Sequence, residues 1–554
     1  MTELLTTIAI IFIVAGPFLL LAKLFRLPTA PALIISGLLA GVFIDPELKI
    51  EIARLGIALL VFTFAIKIQT TDIQTAIADS EVAALAQISI IGSAGFGIGL
   101  LLGLDPEQAI FLGIAAAISS SIMGSTLFLP GSHDVVHDKL SESIHSIQDF
   151  TGLFVLLIVS AGVYQFDPIA QQLGYGVILL LAAILVNRYL FELIGRFARR
   201  ANESVLIAVI AMLLLFLGAA ELLGISIVVG AFAAGLAVKH DSVHYSGVFN
   251  GMDSINDFFA AIFFITVGSL VTWPDFDVIV MASVLVVLVG VVKPAITIAV
   301  LIYMGYERRT ATLTGFNLDQ IGEFALIIAI EALFLGLLID SLFEAIILAA
   351  ALTMVTSSFT RRYDEEIYHL LANTGLLGHH GRSVERWSEV PESLTDHIVI
   401  VGYGRHGRRL IEVCEDNDHP YVVIESNPAL LEDMKNDCEA YVFGDLIERR
   451  TVEKARLTAA RMVISTADTR PVNERVLRFA EQVDVIVRTK DRQSAREYLQ
   501  RGAVYVAVSD LLAADYLEGR LSRLIAGDID GDELRDELID ASYQMSPIPR
   551  HITD

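Results

Sequence analysis

The sequence predicts two different folds in one chain: an all-α membrane domain of about thirteen helices, followed by a cytosolic α/β domain built like a dinucleotide-binding unit. Three observations predict this. The 554 residues are 54% hydrophobic, with a mean hydropathy of +0.63, and soluble globular chains do not reach that over their full length. The apolar residues fall in successive runs of about 17–25 up to Phe359, long enough to cross a bilayer. After Arg361 the composition turns ordinary and a strand–GxGxxG–helix pattern begins at His397.

The spans read near 4–22, 28–44, 52–69, 81–103, 108–128, 147–165, 172–193, 203–222, 224–238, 254–272, 276–303, 309–335 and 339–359. The first lacks a basic n-region and an Ala-x-Ala-like site, so it reads as a retained helix. Lys23, Arg26, Arg188, Arg196, Arg199, Arg200, Arg308, Arg309, Arg361 and Arg362 fall in alternate loops. The loops between them are acidic and short, as at Asp45-Pro46-Glu47 and Asp105-Pro106-Glu107. Positive charge collects on the inside, so the pattern predicts an outside N-terminus and a cytosolic C-terminal domain in the plasma membrane. The expected parts are 1–360, a linker over 361–395, an α/β domain over 396–525 and an acidic tail over 526–554, with a solvated helix from Asp528 to Asp540.

Net charge is −25, and from Arg361 onward there are 36 acidic and 25 basic residues. That excess argues against nucleic-acid binding. Nine lysines against thirty arginines on an acidic chain fit a salt-rich cytoplasm and suggest a halophile. Two cysteines, Cys414 and Cys438, both in the soluble part, suggest reduced thiols and not a disulfide framework.

The candidate site lies where polar residues interrupt apolar spans. Asp149 opens the sixth span behind Gln148 and is expected in its first turns. A carboxylate at such a depth costs about 2.5–3.5 kcal/mol on insertion scales, so it implies a partner or a task. It can bind a proton or a cation, and the two compete. The fifth span holds Ile118-Ser119-Ser120-Ser121-Ile122 and the twelfth Leu318-Asp319-Gln320-Ile321-Gly322-Glu323. Such tracts mark helices that unwind where backbone lines a cavity, and their place in two three-helix groups predicts an inverted repeat. Ser120, Ser121 and Gln148 are expected oxygen ligands for a monovalent cation at Asp149, with Lys293 and Glu323 setting the field. Lys293, in the eleventh span before Pro294, is expected to pair with Asp149 or with a helix C-terminus at a break. No Thr-Val-Gly-Tyr-Gly filter is present, which argues against a potassium channel.

In the soluble part, His397–Val401 reads as a strand, Gly402, Gly404 and Gly407 as the turn with Arg405 and His406 between them, and Glu425 closes the next strand. Glycines let backbone approach a pyrophosphate at a helix N-terminus, and the acid can accept from a ribose 2′-hydroxyl. NAD(H) or an AMP-like nucleotide is therefore the expected ligand. No substrate domain follows Val508 and no catalytic pair lies near the turn, so a regulator is expected and not an enzyme.

These residues carry a resemblance. Gln148-Asp149, Lys293, Gln320-Ile321-Gly322-Glu323-Phe324, the stretch from Leu223 to Gly235 and Phe263–Gly268 resemble the monovalent cation:proton antiporter-2 family, in particular its Kef-type potassium/proton efflux systems. The family usually has a second glycine where Ile321 stands, and Ser-Ser-Thr where this chain has Ser119-Ser120-Ser121. The resemblance implies thirteen spans split into a dimerisation bundle and a mobile core of spans 4–6 and 11–13, with Asp149 as the ion-carrying carboxylate. Electrogenic relatives often carry two adjacent acids; with Gln148 in the first place, the simplest cycle is electroneutral. Potassium and sodium both stay open. The soluble part resembles the KTN (RCK N-terminal, TrkA-N) domain, whose recurring turn after the third strand is matched by Gly444-Asp445, and such domains pair, so a homodimer is implied.

Overall fold

The computed structural model describes residues 2–25, 27–67, 78–119, 136–160, 166–190, 202–238, 258–304, 306, 308–373, 388–426, 430–447, 449–468, 470–527, 529–531 and 533–535. The chain divides into two compact units, Met1–Gly381 and Arg382–Asp554.

The first unit is helical: α1 (Thr2–Phe25), α2 (Thr29–Gly41), α3 (Pro46–Lys67), α4 (Ala78–Leu101), α5 (Pro106–Ala117), α6 (Val136–Val159), α7 (Phe166–Leu185), α8 (Asn202–Leu222), α9 (Ile227–Ala237), α10 (Phe258–Leu270), α11 (Phe276–Tyr303), α12 (Arg308–Asn317), α13 (Glu323–Phe334), α14 (Asp340–Arg362) and α15 (Asp364–Asn373). Among the described residues, five helices are by themselves long and apolar enough to cross a membrane, including the Leu140–Val159 part of α6, all of α11 and all of α14. The unit's many exposed large apolar residues, such as Leu20, Phe43, Leu101, Leu185, Leu222 and Tyr303, suit a surface solvated by lipid.

Two helical groups are evident from packing. α4 packs on α5 and α6, and α11 on α12 and α14; α6 in turn packs on α12 and α13, joining the two triplets. α3, α7, α8 and α9 share a separate apolar cluster around Phe62, Met212, Phe216 and Ala233.

Three differences from the sequence reading have physical causes. First, α6 begins at Val136 and not near 147, so Asp149 sits mid-helix and not in the first turns. The early part is polar, so hydropathy does not mark it, yet Asp138, Ser141, His145 and Gln148 recur at three- and four-residue spacing and are all buried. Second, α11 contains a π-helical segment, Leu288–Val292, closed by Lys293 N–H donating to the Leu288 carbonyl. Pro294 has no N–H and its ring would crowd the Gly290 carbonyl, and a widened turn relieves that. Third, the expected linker starts as a helix. Glu365 of α15 makes an ion pair with Arg309 of α12, and Ile367 and Leu371 pack on a cluster containing Ile298, Leu301 and Phe316.

The second unit is a six-stranded parallel sheet, β1 (Ile398–Val401), β2 (Tyr421–Glu425), β3 (Tyr441–Phe443), β4 (Met462–Ser465), β5 (Asp484–Thr489) and β6 (Tyr505–Val508), in the order β3-β2-β1-β4-β5-β6. The helices between them are α16 (Arg405–Asp416), α17 (Leu431–Asp437), α18 (Arg449–Lys454), α19 (Arg470–Leu477) and α20 (Arg492–Gln500), with α21 (Ser509–Ala526) after the last strand. The order reverses beside β1, which pairs in register with both β2 and β4. This is the doubly wound arrangement, whose binding crevice lies at the carboxyl ends of the strands at that reversal. Cys414 and Cys438 are free thiols buried under the sheet. Burial, with Asp437 and Glu415 nearby, pushes the Cys438 thiol up to about 12. Most of the expected acidic tail lies outside the described residues.

Several glycines of the membrane unit meet backbone too closely to admit a side chain, and one of them, Gly322, lies between α12 and α13. A Cβ on Gly322 would overlap the carbonyl of Ser119. Gly322→Ala should therefore lower the stability of the detergent-purified chain by about 1–3 kcal/mol, read as a several-degree fall in unfolding midpoint. Gly16→Ala, whose Cβ meets nothing within 4 Å, should leave the midpoint unchanged.

Candidate ion and nucleotide sites

The membrane site is built where α5 and the α12–α13 segment stop being helical and cross. α5 ends at Ala117 because Ile118 turns to extended backbone, φ −88° and ψ 127°. α12 ends at Asn317, and α13 starts at Glu323 behind Gly322, which is also extended at φ −84° and ψ 160°. Freed backbone groups in a membrane need partners, and here the two breaks supply them to each other. Gly322 N donates to the Ile118 carbonyl at 2.9 Å. Ser119 Oγ donates to the Leu318 carbonyl at 3.0 Å, and Ile321 N donates to Thr353 Oγ1 at 3.3 Å.

Side chains from three further helices complete the crossing. Gln148 of α6 is fully buried, and its Oε1 accepts from Ser119 N at 2.9 Å. Lys293 of α11 is fully buried, and its Nζ donates to the Gln320 carbonyl at 3.2 Å. Of the two expected partners for Lys293, this is the helix break. Arg361 of α14 donates through Nη2 to the Asn317 carbonyl at 2.8 Å. Two cations thus meet the carbonyl-rich end of α12, the sign that a helix C-terminus favours. Asp149, adjacent to Gln148 on α6, is 2% exposed. One turn on, Gly152 lies against the Phe324 ring, which brings the helix of Asp149 against the start of α13. Glu323 occupies that first turn and is also 2% exposed, a favourable place for a carboxylate. Ser120 and Ser121 lie outside the described residues.

The crossing also uses residues to which the sequence reading gave no role. Ser119 and Thr353 hold the breaks together. Asp319 lies in the second break, 2% exposed. Asn317 Nδ2 lies 3.3 Å from both Asp138 Oδ1 and Ser141 Oγ, tying the start of α6 to the end of α12. In the sequence Arg361 marks only the inner end of the last span. A legible sign existed: Thr353, Ser357 and Arg361 recur every fourth residue along α14, which places them on one face.

In the soluble unit, Gly402 takes φ +97°, a conformation suited to glycine, and its N donates to the Ile424 carbonyl. Gly404 caps α16, which begins with Arg405 and His406, both exposed. A Cβ on Gly407 would strike the Gly402 carbonyl, so helix and turn pack at glycine distance. The turn and the N-terminus of α16 form an anion-binding end. Arg405 and His406 begin that helix, and Arg488 Nη1 lies 3.4 Å from His406 Nδ1. Burial, then Arg488, Arg405 and Arg409, lowers the His406 pKa. Glu425 lies at the end of β2, where Oε2 accepts from Tyr403 N at 2.8 Å and Oε1 from Ser426 N at 2.7 Å. The acid therefore braces the glycine turn. Asp445 is buried and its Oδ1 accepts from Ile447 N at 2.9 Å, so it shapes its own turn after β3.

A membrane unit with two crossed helix breaks around buried charges is a secondary transporter of the broken-helix class, here joined to a doubly wound domain. The family described as "Sodium/hydrogen exchanger, transmembrane" matches residues 8–362, and the TrkA-N domain matches residues 398–509. The chain belongs to the sodium/hydrogen exchanger family. It is 26% identical over 495 residues to the "Putative cation/proton antiporter YbaL" of Escherichia coli, covering 84% of this chain and 87% of that one. It is 25% identical over 343 residues to the "Na(+)/H(+)-K(+) antiporter GerN" of Bacillus cereus, covering 58% and 87%. Among solved structures, the sodium proton antiporter MjNhaP1 of Methanocaldococcus jannaschii shares the fold at 13% identity and a TM-score of 0.51, covering 68% of this chain and all of that one. The expectation of a Kef-type cation/proton antiporter with a TrkA-N domain is met.

The Gln148 contact is open to test. Gln148→Ala leaves the buried Ser119 N–H without its acceptor, which costs about 1–3 kcal/mol. The purified variant should unfold at a correspondingly lower temperature, while Glu142→Ala on the exposed face of α6 should not shift it.

Proposed function

We propose that this chain exchanges K+ for H+ across the plasma membrane, with Asp149 taking cation and proton in turn. The observation that carries this reading is the crossing of the two breaks, to which Gln148 is bonded directly and beside which Asp149 is buried. Backbone carbonyls released from helical bonding, with Gln148, Ser120 and Ser121, supply the oxygen ligands that a monovalent cation needs. Lys293 and Glu323 set the field around them. With Gln148 where electrogenic relatives have an acid, one proton leaves for each cation bound.

In this reading the membrane unit has thirteen spans with its N-terminus outside. The α4–α6 and α11–α14 groups rock against a bundle through which two copies of the chain pair. The soluble unit is cytosolic and binds NAD(H) or an AMP-like nucleotide at the Gly402–Gly407 turn, with the Glu425 carboxylate reaching a ribose hydroxyl. Its ligand state reaches the core through α15. Support for that route is the Arg309–Glu365 ion pair and the packing of Ile367 and Leu371 beside Phe316, at the root of the second break. Any ligand that favours one state of this docking shifts the transport equilibrium by its differential affinity.

Two measurements test this. In proteoliposomes loaded with a pH-sensitive dye, K+ should collapse an imposed proton gradient, and Asp149→Asn should reduce the response to that of empty liposomes. Potassium leakage without proton movement would overturn the exchange reading in favour of a channel. In titration calorimetry on the full-length chain, Glu425→Ala should weaken NADH or AMP binding by about tenfold or more, the loss of one hydrogen bond to a charged group. Unchanged binding would remove Glu425 from the nucleotide site.

A further inference from the structure

The second break carries a carboxylate, Asp319, that the exchange scheme above does not use. Its Oδ1 is buried and has no hydrogen-bond partner among the described residues. What surrounds it is mainly positive charge. Lys293 from α11 and Arg361 from α14 both lie within its electrostatic reach, and the Ser357 and Thr360 hydroxyls of α14 face the same carboxyl. From α6, His145 faces Lys293 and Arg361, with its Nδ1 at 2.7 Å from the Ser141 carbonyl. Each cation is also anchored to backbone on one side of Asp319: Lys293 to the Gln320 carbonyl at 3.2 Å and Arg361 to the Asn317 carbonyl at 2.8 Å. Asp319 is therefore bracketed by two cations, each fastened within two residues of it.

We propose that Asp319 is a positioning residue for cation exchange: it holds the Lys293 ammonium at the break and keeps that charge out of the cation's place at Asp149. The proposal rests on the role given to Asp149 above. A buried ammonium needs a counter-charge, and a carbonyl alone supplies only a partial one. With Asp319 neutral, Lys293 faces Arg361 and His145 with no carboxylate in the break. Its four-carbon stem then lets the ammonium swing toward the acid of the ion site, where it competes with the incoming cation. Lys293 acts here through position and charge and exchanges no proton.

The test is a mutant cycle in dye-loaded proteoliposomes, with K+ titrated against wild type, Asp319→Asn, Lys293→Met and the double variant. Asp319→Asn should raise the KM for K+ on the order of tenfold and leave the maximal rate within about twofold, because only competition for the site has changed. The double variant removes the ammonium together with its counter-charge and should return the KM to that of Lys293→Met. A purely structural role for Asp319 predicts instead that the double variant is as impaired as Asp319→Asn, and that result would overturn the proposal. So would a wild-type KM in Asp319→Asn. If Asp319→Asn proves too unstable to reconstitute, the double variant still decides, since it removes the ammonium together with its counter-charge and leaves Arg361 with Asp138 and Asp364 in reach. A wild-type chain that exchanges no ions would overturn the Asp149 reading itself, and this one with it.

Discussion

Backbone polar groups cannot be left unpaired in a membrane, and that constraint organises the transport unit. Two helices stop being helical at the same place. Each break frees groups that the other satisfies: Ile118 accepts from Gly322, and Leu318 accepts from Ser119. Four more of these groups are met by side chains from α6, α11 and α14, through Gln148, Lys293, Thr353 and Arg361. The groups that interrupt the two helices are thus the same groups that hold the crossing together. This explains why Ser119, Gln148, Lys293 and Thr353 are so deeply buried: each has a backbone group to serve, and burial of a served group costs little.

The same logic spreads from the crossing toward the soluble half of the chain. Asn317 closes α12, approaches Asp138 and Ser141 of α6, and gives its carbonyl to Arg361. Arg361 lies in the last turn of α14, and α15 follows at once, anchored to α12 through Glu365 and Arg309. The chain that leaves the membrane unit therefore begins by gripping the broken helix.

The soluble unit solves a different problem with backbone. Its glycine turn needs a positive φ at Gly402 and close packing of Gly407 on the turn. Glu425 braces the turn from below, and Arg405 and His406 begin the helix whose N-terminus closes it. Only the sheet order, reversing beside β1, puts Glu425 next to the turn.

Much of this was legible in the sequence because it depends on local chemistry. Apolar run length, loop charge, the interrupted spans, Asp149, Lys293 and the strand–GxGxxG–strand–acid pattern are all one-dimensional signals. What escaped is what depends on who faces whom. The start of α6 was misplaced because its polar stripe satisfies itself on α12, which hydropathy does not see. The sequence places Asp319 in the interrupted twelfth span and Arg361 at the end of the last one; only the fold sets them near Lys293 and Asn317. The docking of α15 was invisible for the same reason. Sequence alone determined which groups are too costly to bury without a partner; the tertiary structure decided the partners, because a hydrogen bond or a charge pair is a relation between distant residues and no single stretch of chain contains it.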